Sequence, residues 1–82
     1  MAINYAHLRN TTAREITKAL TQDGFTFRRQ VGSHHRYVHA DGRRVTVSFS
    51  QPGDTFPLKT LKSMIERQAR WNEGDLIRLE LM

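Results

Sequence analysis

Residues 25–49 read FTFRRQVGSHHRYVHADGRRVTVSF, and the two interruptions in this stretch decide the fold. Phe25, Phe27 and Val31 alternate with Thr26 and Arg28, which is the period of a strand. Gly32-Ser33 breaks that strand, and a second runs from about His34 to His39. Ala40-Asp41-Gly42 turns the chain into a third strand, Arg44 to Phe49, with Val45, Val47 and Phe49 on one face. Connections this short predict an antiparallel meander.

The second turn sets which side chains share a face, because a one-residue slip moves every side chain to the opposite side. A two-residue Asp41-Gly42 turn would pair Val38 with Val45 and send Arg36 and His34 to the apolar face. A three-residue Ala40-Asp41-Gly42 loop, a type I turn with glycine in the bulge position, pairs Tyr37 with Val45 and His35 with Val47. Burying an unpaired guanidinium costs several kcal/mol or more, so the three-residue loop is expected. His34, Arg36, Arg44 and Thr46 then share the open face, and His35 packs.

Helices precede and follow the meander along the chain. Thr12-Ala13-Arg14-Glu15 is a capping box, with Ile16, Ala19 and Leu20 on one helical face and Asp23-Gly24 as the stop. Pro57 suits the first turn of another helix, whose inward stripe is Leu58, Leu61, Met64, Ile65 and Gln68-Ala69. Asn72 and Asp75 cap a short last helix with Leu76, Ile77 and Leu79 as its apolar side. The fold class is therefore α+β: α-β-β-β-α plus a short C-terminal third helix, with the helices covering one face of a three-stranded antiparallel sheet. Residues 1–10 carry no clear period and read as an irregular extension that Ile3, Tyr5 or Leu8 could order. Residues 11–82 read as a single domain.

Thirteen Lys and Arg stand against 8 Asp and Glu, a formal net charge of +5. Charge of that sign attracts phosphate polymers, with an attraction that weakens steeply with salt. With no cysteine there is no disulfide, zinc-thiolate site or thiol nucleophile. No apolar run reaches the roughly 20 residues of a membrane span, and the N-terminus has no secretory apolar core. No membrane association and a cytoplasmic location are expected.

A histidine entering a strand from a tight Gly-Ser turn, with arginines around it, can move protons near neutral pH. His34 could take the proton of a ribose 2′-OH or give one to a leaving 5′-oxygen. A second acid or base stays open among His35, His39, Tyr37 and water. A metal site on His35 and His39 is disfavoured, since i and i+4 on a strand lie about 13 Å apart. No metal or cofactor is expected. Arg28, Arg29, Arg36, Arg43 and Arg44 crowd the strands and turns, and Lys59 and Lys62 lie one helical turn apart. Phe25, Phe27 and Trp71 are read as core rather than as platforms for bases.

Four segments together resemble the HicA toxin family: Ala13-Arg14-Glu15-Ile16 through Asp23-Gly24-Phe25, then Gly32-Ser33-His34, then His39 through Val47, then Pro57 through Ile65. They span roughly residues 12 to 70. The resemblance implies a fold like a double-stranded-RNA-binding domain and a ribosome-independent RNA endonuclease, an mRNA interferase. It implies a cognate HicB-type antitoxin that covers the active surface. The family's catalytic histidine directly follows Gly-Ser, which is His34 here, and His35 falls at a variable position. Ser33, Arg36, Arg44, Lys59 and Lys62 are the expected RNA contacts, and the free protein is expected to be a monomer. The chain departs from the family in its longer N-terminal extension and in Val31, where lysine is common. Ser48-Phe49-Ser50 replaces an end that usually holds proline and histidine, and Arg70 stands where the helix usually ends in glycine. The alternatives are a non-catalytic RNA-binding module of the same fold and a protein whose basic face docks an acidic partner.

Overall fold

The computed structural model describes residues 3–82. Thr12 starts α1 (Ala13–Gln22) through the expected reciprocal pair: its hydroxyl accepts the Glu15 N–H, and the Glu15 carboxylate accepts the Thr12 N–H. Ile16, Ala19 and Leu20 are buried along one face. Gly24 ends the helix turn at φ +100°, and a Cβ there would lie 2.9 Å from His39 Nε2, so both the backbone and the neighbouring ring demand glycine.

Three strands follow, β1 (Phe25–Val31), β2 (His34–His39) and β3 (Arg44–Ser48), antiparallel in the order β1-β2-β3. Tyr37 stands opposite Val45 and His35 opposite Val47. His39 N–H donates to Arg43 O and Gly42 N–H to His39 O, both at 2.9 Å, with Gly42 at φ +98°. The loop is therefore three residues long, and the register that keeps Arg36 out of the core is the one adopted.

Strand β1 departs from simple alternation. Phe27 pairs with Tyr37 but Arg29 pairs with Arg36, so Arg28 is an extra residue bulged from the ladder. Beyond the bulge the faces swap, which puts Val31 on the open face at 52 % exposure rather than with Phe25. Phe27 keeps the helix-facing side, edge-on to Tyr37 at 5.6 Å, yet is 54 % exposed because β1 is the sheet's margin.

α2 (Leu58–Lys62) follows Pro57, whose ψ of 151° places it just before the helix rather than in its first turn. The helix continues as π turns over Ser63–Gln68. Leu61, Met64, Ile65 and Ala69 are buried, but Leu58 is exposed because it precedes the face that meets the sheet. α3 (Glu73–Arg78) has the Asn72–Asp75 capping box, and Leu76 and Leu79 are buried while Ile77 points to solvent. The core unites Ile16 and Leu20, Phe25, Val45 and Val47, and Leu61, Ile65 and Leu76. The fold is the α+β arrangement expected, with an open three-stranded sheet and three helices.

Tyr5–Leu8 forms one 3-10 turn, with Leu8 fully buried in the same core. Met1 and Ala2 of the extension lie outside the described residues. Among the described residues no helix is long and apolar enough to cross a membrane.

Candidate active site

The Gly32-Ser33 turn is built to be rigid. Gly32 takes φ +59° at the first central position, as a type II′ hairpin requires. The Ser33 carbonyl accepts the Phe49 N–H at 3.0 Å and faces His35 Nδ1 at 3.0 Å. His35 Nδ1 also lies 3.3 Å from Val47 O. Both partners are carbonyls, which only accept, so Nδ1 carries the proton. The His35 ring stacks on Phe49 at 3.9 Å between centroids and 11° between planes. His35 is thus fixed on the helix-facing side, and the next turn of the pleat delivers His34 to the open face, exposed.

Across the open face the residues form three rungs. Val31, His34 and Ser48 make the first, Arg29, Arg36 and Thr46 the second, and Thr26, Val38 and Arg44 the third. Arg36 follows His34 along β2, while Arg29 and Thr46 lie diagonal to it, about 7–8 Å away in such sheets. Arg28, Arg29, Arg36 and Arg44 border one shallow concavity of about 420 Å³. The strands hold no carboxylate, and among the described residues none of these four guanidinium groups is paired with one.

Arg43, which also borders the concavity, is committed elsewhere. It binds Asp41 at 2.8 Å, approaches Asp23 at 3.2 Å and donates to Ala69 O at 2.6 Å. The Arg43 backbone N–H, which donates to Asp41 Oδ1 at 3.0 Å, and then the Arg43 side chain hold the Asp41 carboxyl low.

The remaining candidates for proton transfer stand on the wrong side of the sheet. His39 Nε2 reaches Asp23 O at 2.9 Å and its Nδ1 accepts the Asp41 N–H at 3.1 Å. Tyr37 is buried, and burial raises its hydroxyl pKa. By the parity of β2, His34 is the one strand histidine on the open face. Lys59 and Lys62 ride on α2 in the helix layer, so the fold does not gather them with Arg36 and Arg44. Lys62 Nζ lies 5.6 Å from the Tyr5 ring centroid, and the Tyr5 hydroxyl donates to Glu66. Burial first, then this contact with Glu66, push the Tyr5 pKa up. Among the described residues no three His, Cys, Asp or Glu side chains gather as metal ligands would.

The model of one protein family, described as HicA toxin of bacterial toxin–antitoxin, matches residues 13–71. The chain belongs to the HicA family. It is the toxin of a toxin–antitoxin system, and so has a cognate antitoxin as partner. No curated protein matches it. Within the HicA frame, Arg28 borders the concavity without being one of the expected RNA contacts, and so does Arg29. The bulge at Arg28 moves Arg29 onto the open face, and the Arg-Arg doublet interrupting the alternation was its signal. At the helix end Arg70 takes a left-handed backbone, φ 57°, in spite of its side chain.

Proposed function

We propose that this HicA-family toxin is a ribosome-independent endoribonuclease that cuts mRNA with His34. The supporting observation is an exposed imidazole on a sheet face that carries arginines and no carboxylate. His34 takes the proton of a ribose 2′-OH, whose oxygen attacks the adjacent phosphorus. The P–O5′ bond breaks, water supplies the proton to the leaving 5′-oxygen, and the strand ends in a 2′,3′-cyclic phosphate. Arg36 and Arg44 hold phosphate oxygens as charge builds on them, and Ser33 lines the approach. Lys59 and Lys62 supply point charges to the strand farther from the cut. A HicB-type antitoxin covers this surface in the cytoplasm, and the free toxin is a monomer.

The test is cleavage of a labelled single-stranded RNA by wild type and by His34→Ala. One positioned imidazole is worth about 10²–10⁴-fold. Loss of that order with unchanged folding, cyclic phosphate ends, and resistance of a substrate with 2′-deoxyribose at the cut support the reading. If wild type binds RNA and cuts none, the protein is a non-catalytic RNA-binding module. If folded His34→Ala still cuts, the proton transfer belongs to another group.

A further inference from the structure

The Arg28 bulge does something that an uninterrupted strand could not. With regular pairing after Phe27, Arg28 would oppose Arg36 and Arg29 would turn toward the helices. The extra residue instead sets Arg28 and Arg29 beside the same Arg36 rung, and both border the concavity. Like charges directly opposite on a sheet repel, and among the described residues no carboxylate pairs with them. Such a cluster is complete only with an anion on it.

The dimensions select the anion. Three strands span about 10 Å, and His34 to Val38 along β2 covers about 13 Å. That platform accommodates a short run of one phosphodiester chain and not the two backbones of a duplex. The open-face residues Thr26, Val31, Val38, Thr46 and Ser48 include no aromatic ring, so base stacking there is confined to the His34 imidazole and the guanidinium planes, and phosphate contacts carry the binding. Guanidinium forks match phosphate oxygens in pairs.

We propose that the open sheet face is a track for single-stranded RNA, in which Arg28, Arg29 and Arg36 grip the phosphates flanking the bond presented to His34. The track rests on the endoribonuclease reading for its substrate but not for its affinity. It runs across the sheet, whereas Lys59 and Lys62 lie in the helix layer.

Fluorescence anisotropy with the His34→Ala protein separates binding from cutting. A labelled ten-nucleotide single-stranded RNA, the same sequence as a duplex, and a salt series are the probes. Arg28→Gln and Arg29→Gln are each expected to weaken single-strand binding about tenfold, the size of a lost charge-assisted contact. Each also lowers the slope of log affinity against log salt by about 0.7. Lys18→Gln, an equal loss of charge on the exposed face of α1, changes both by much less. The duplex binds more weakly than the single strand. The track is refuted if the two arginine variants bind single strands as the parent does, or if the duplex binds more tightly. It is also refuted if the arginine variants lose only the antitoxin and keep RNA, which would make the face a protein-docking surface. With 2′-O-methyl riboses in both probes, residual cutting by His34→Ala cannot alter the binding read-out, so the two readings fail separately.

Discussion

Arg29 and Arg36 stand directly opposite each other on β1 and β2, two cations facing across one rung with Arg28 bulged beside them. In the free protein this rung is electrostatically unfavourable. Arg29→Thr removes the repulsion and leaves a good strand former, so it is expected to stabilise the protein by about 0.5 kcal/mol at low salt. The gain shrinks as salt screens the pair. Inorganic phosphate is expected to raise the melting temperature of wild type more than that of the variant. Thermal melts at two salt concentrations decide it, and a lower melting temperature for Arg29→Thr in low salt would mean that the rung is stabilising as it stands.

Adjacent histidines are expected to separate cleanly into chemistry and support. His34 is exposed, so His34→Ala leaves stability within about 0.5 kcal/mol while removing activity. His35 holds the Ser33 carbonyl and stacks on Phe49. His35→Ala is expected to cost about 2 kcal/mol from the lost stack and hydrogen bond. Its turnover falls only as far as the loosened turn misplaces His34. Urea unfolding and RNA cleavage on both variants give the answer, and equal loss of stability in the two would contradict the assigned faces.

The difference between those histidines was legible in the sequence, because the cost of burying Arg36 chose the Ala40-Asp41-Gly42 loop and with it the parity of β2. The same reasoning does not reach β1. Unbroken alternation from Phe25 would put Arg29 on the helix-facing side, but at the sheet's margin Phe27 and Gln30 on that side are both exposed, so no burial cost marks the bulge. What hid it was Val31, whose apolar side chain fits the wrong face as comfortably as the right one. Leu58 and Ile77 misled for a related reason. Apolar spacing gives a helix's face only to within a residue, and the switch from α to π turns at Ser63 depends on how the helix end meets β3. There Gln68 Oε1 accepts the Thr46 N–H at 2.8 Å, and that edge-strand contact has no local sequence signature.

Asp23 ties together the helix end, β3's turn and the C-terminal segment. Its carboxylate accepts from Trp71 Nε1 at 2.9 Å and Arg78 Nη2 at 2.8 Å, with Arg43 at 3.2 Å. Burial opposes its ionisation, but the Trp71 and Arg78 hydrogen bonds and the Arg43 and Arg78 charges outweigh burial and lower its pKa. A depressed carboxylate contributes stability above its unfolded pKa of about 3.9 and loses it as pH falls through the lower folded value. Asp23→Asn is expected to cost about 2 kcal/mol at neutral pH. It should also flatten the acid limb of stability against pH. Trp71 is the chain's one tryptophan, so its fluorescence follows this unfolding directly. An acid limb unchanged in Asp23→Asn would assign the acid sensitivity to other carboxylates.

Arg70 is the residue that terminates the π turns, and it does so at φ 57°. Ala69 N–H reaches Met64 O and Trp71 N–H reaches Ile65 O, both at 2.8 Å, so the left-handed residue between them closes the helix end. An L side chain in that conformation costs roughly 1–2 kcal/mol, against which glycine gives back some unfolded-state entropy. Arg70→Gly is therefore expected to stabilise the protein by about 1 kcal/mol, or about 4–8 °C for a domain of this size. Arg70→Ala keeps the Cβ and should gain nothing, so the pair of variants isolates the backbone from the lost charge. Equal melting temperatures for the glycine and alanine variants would show that strain at Arg70 is not what limits this helix end.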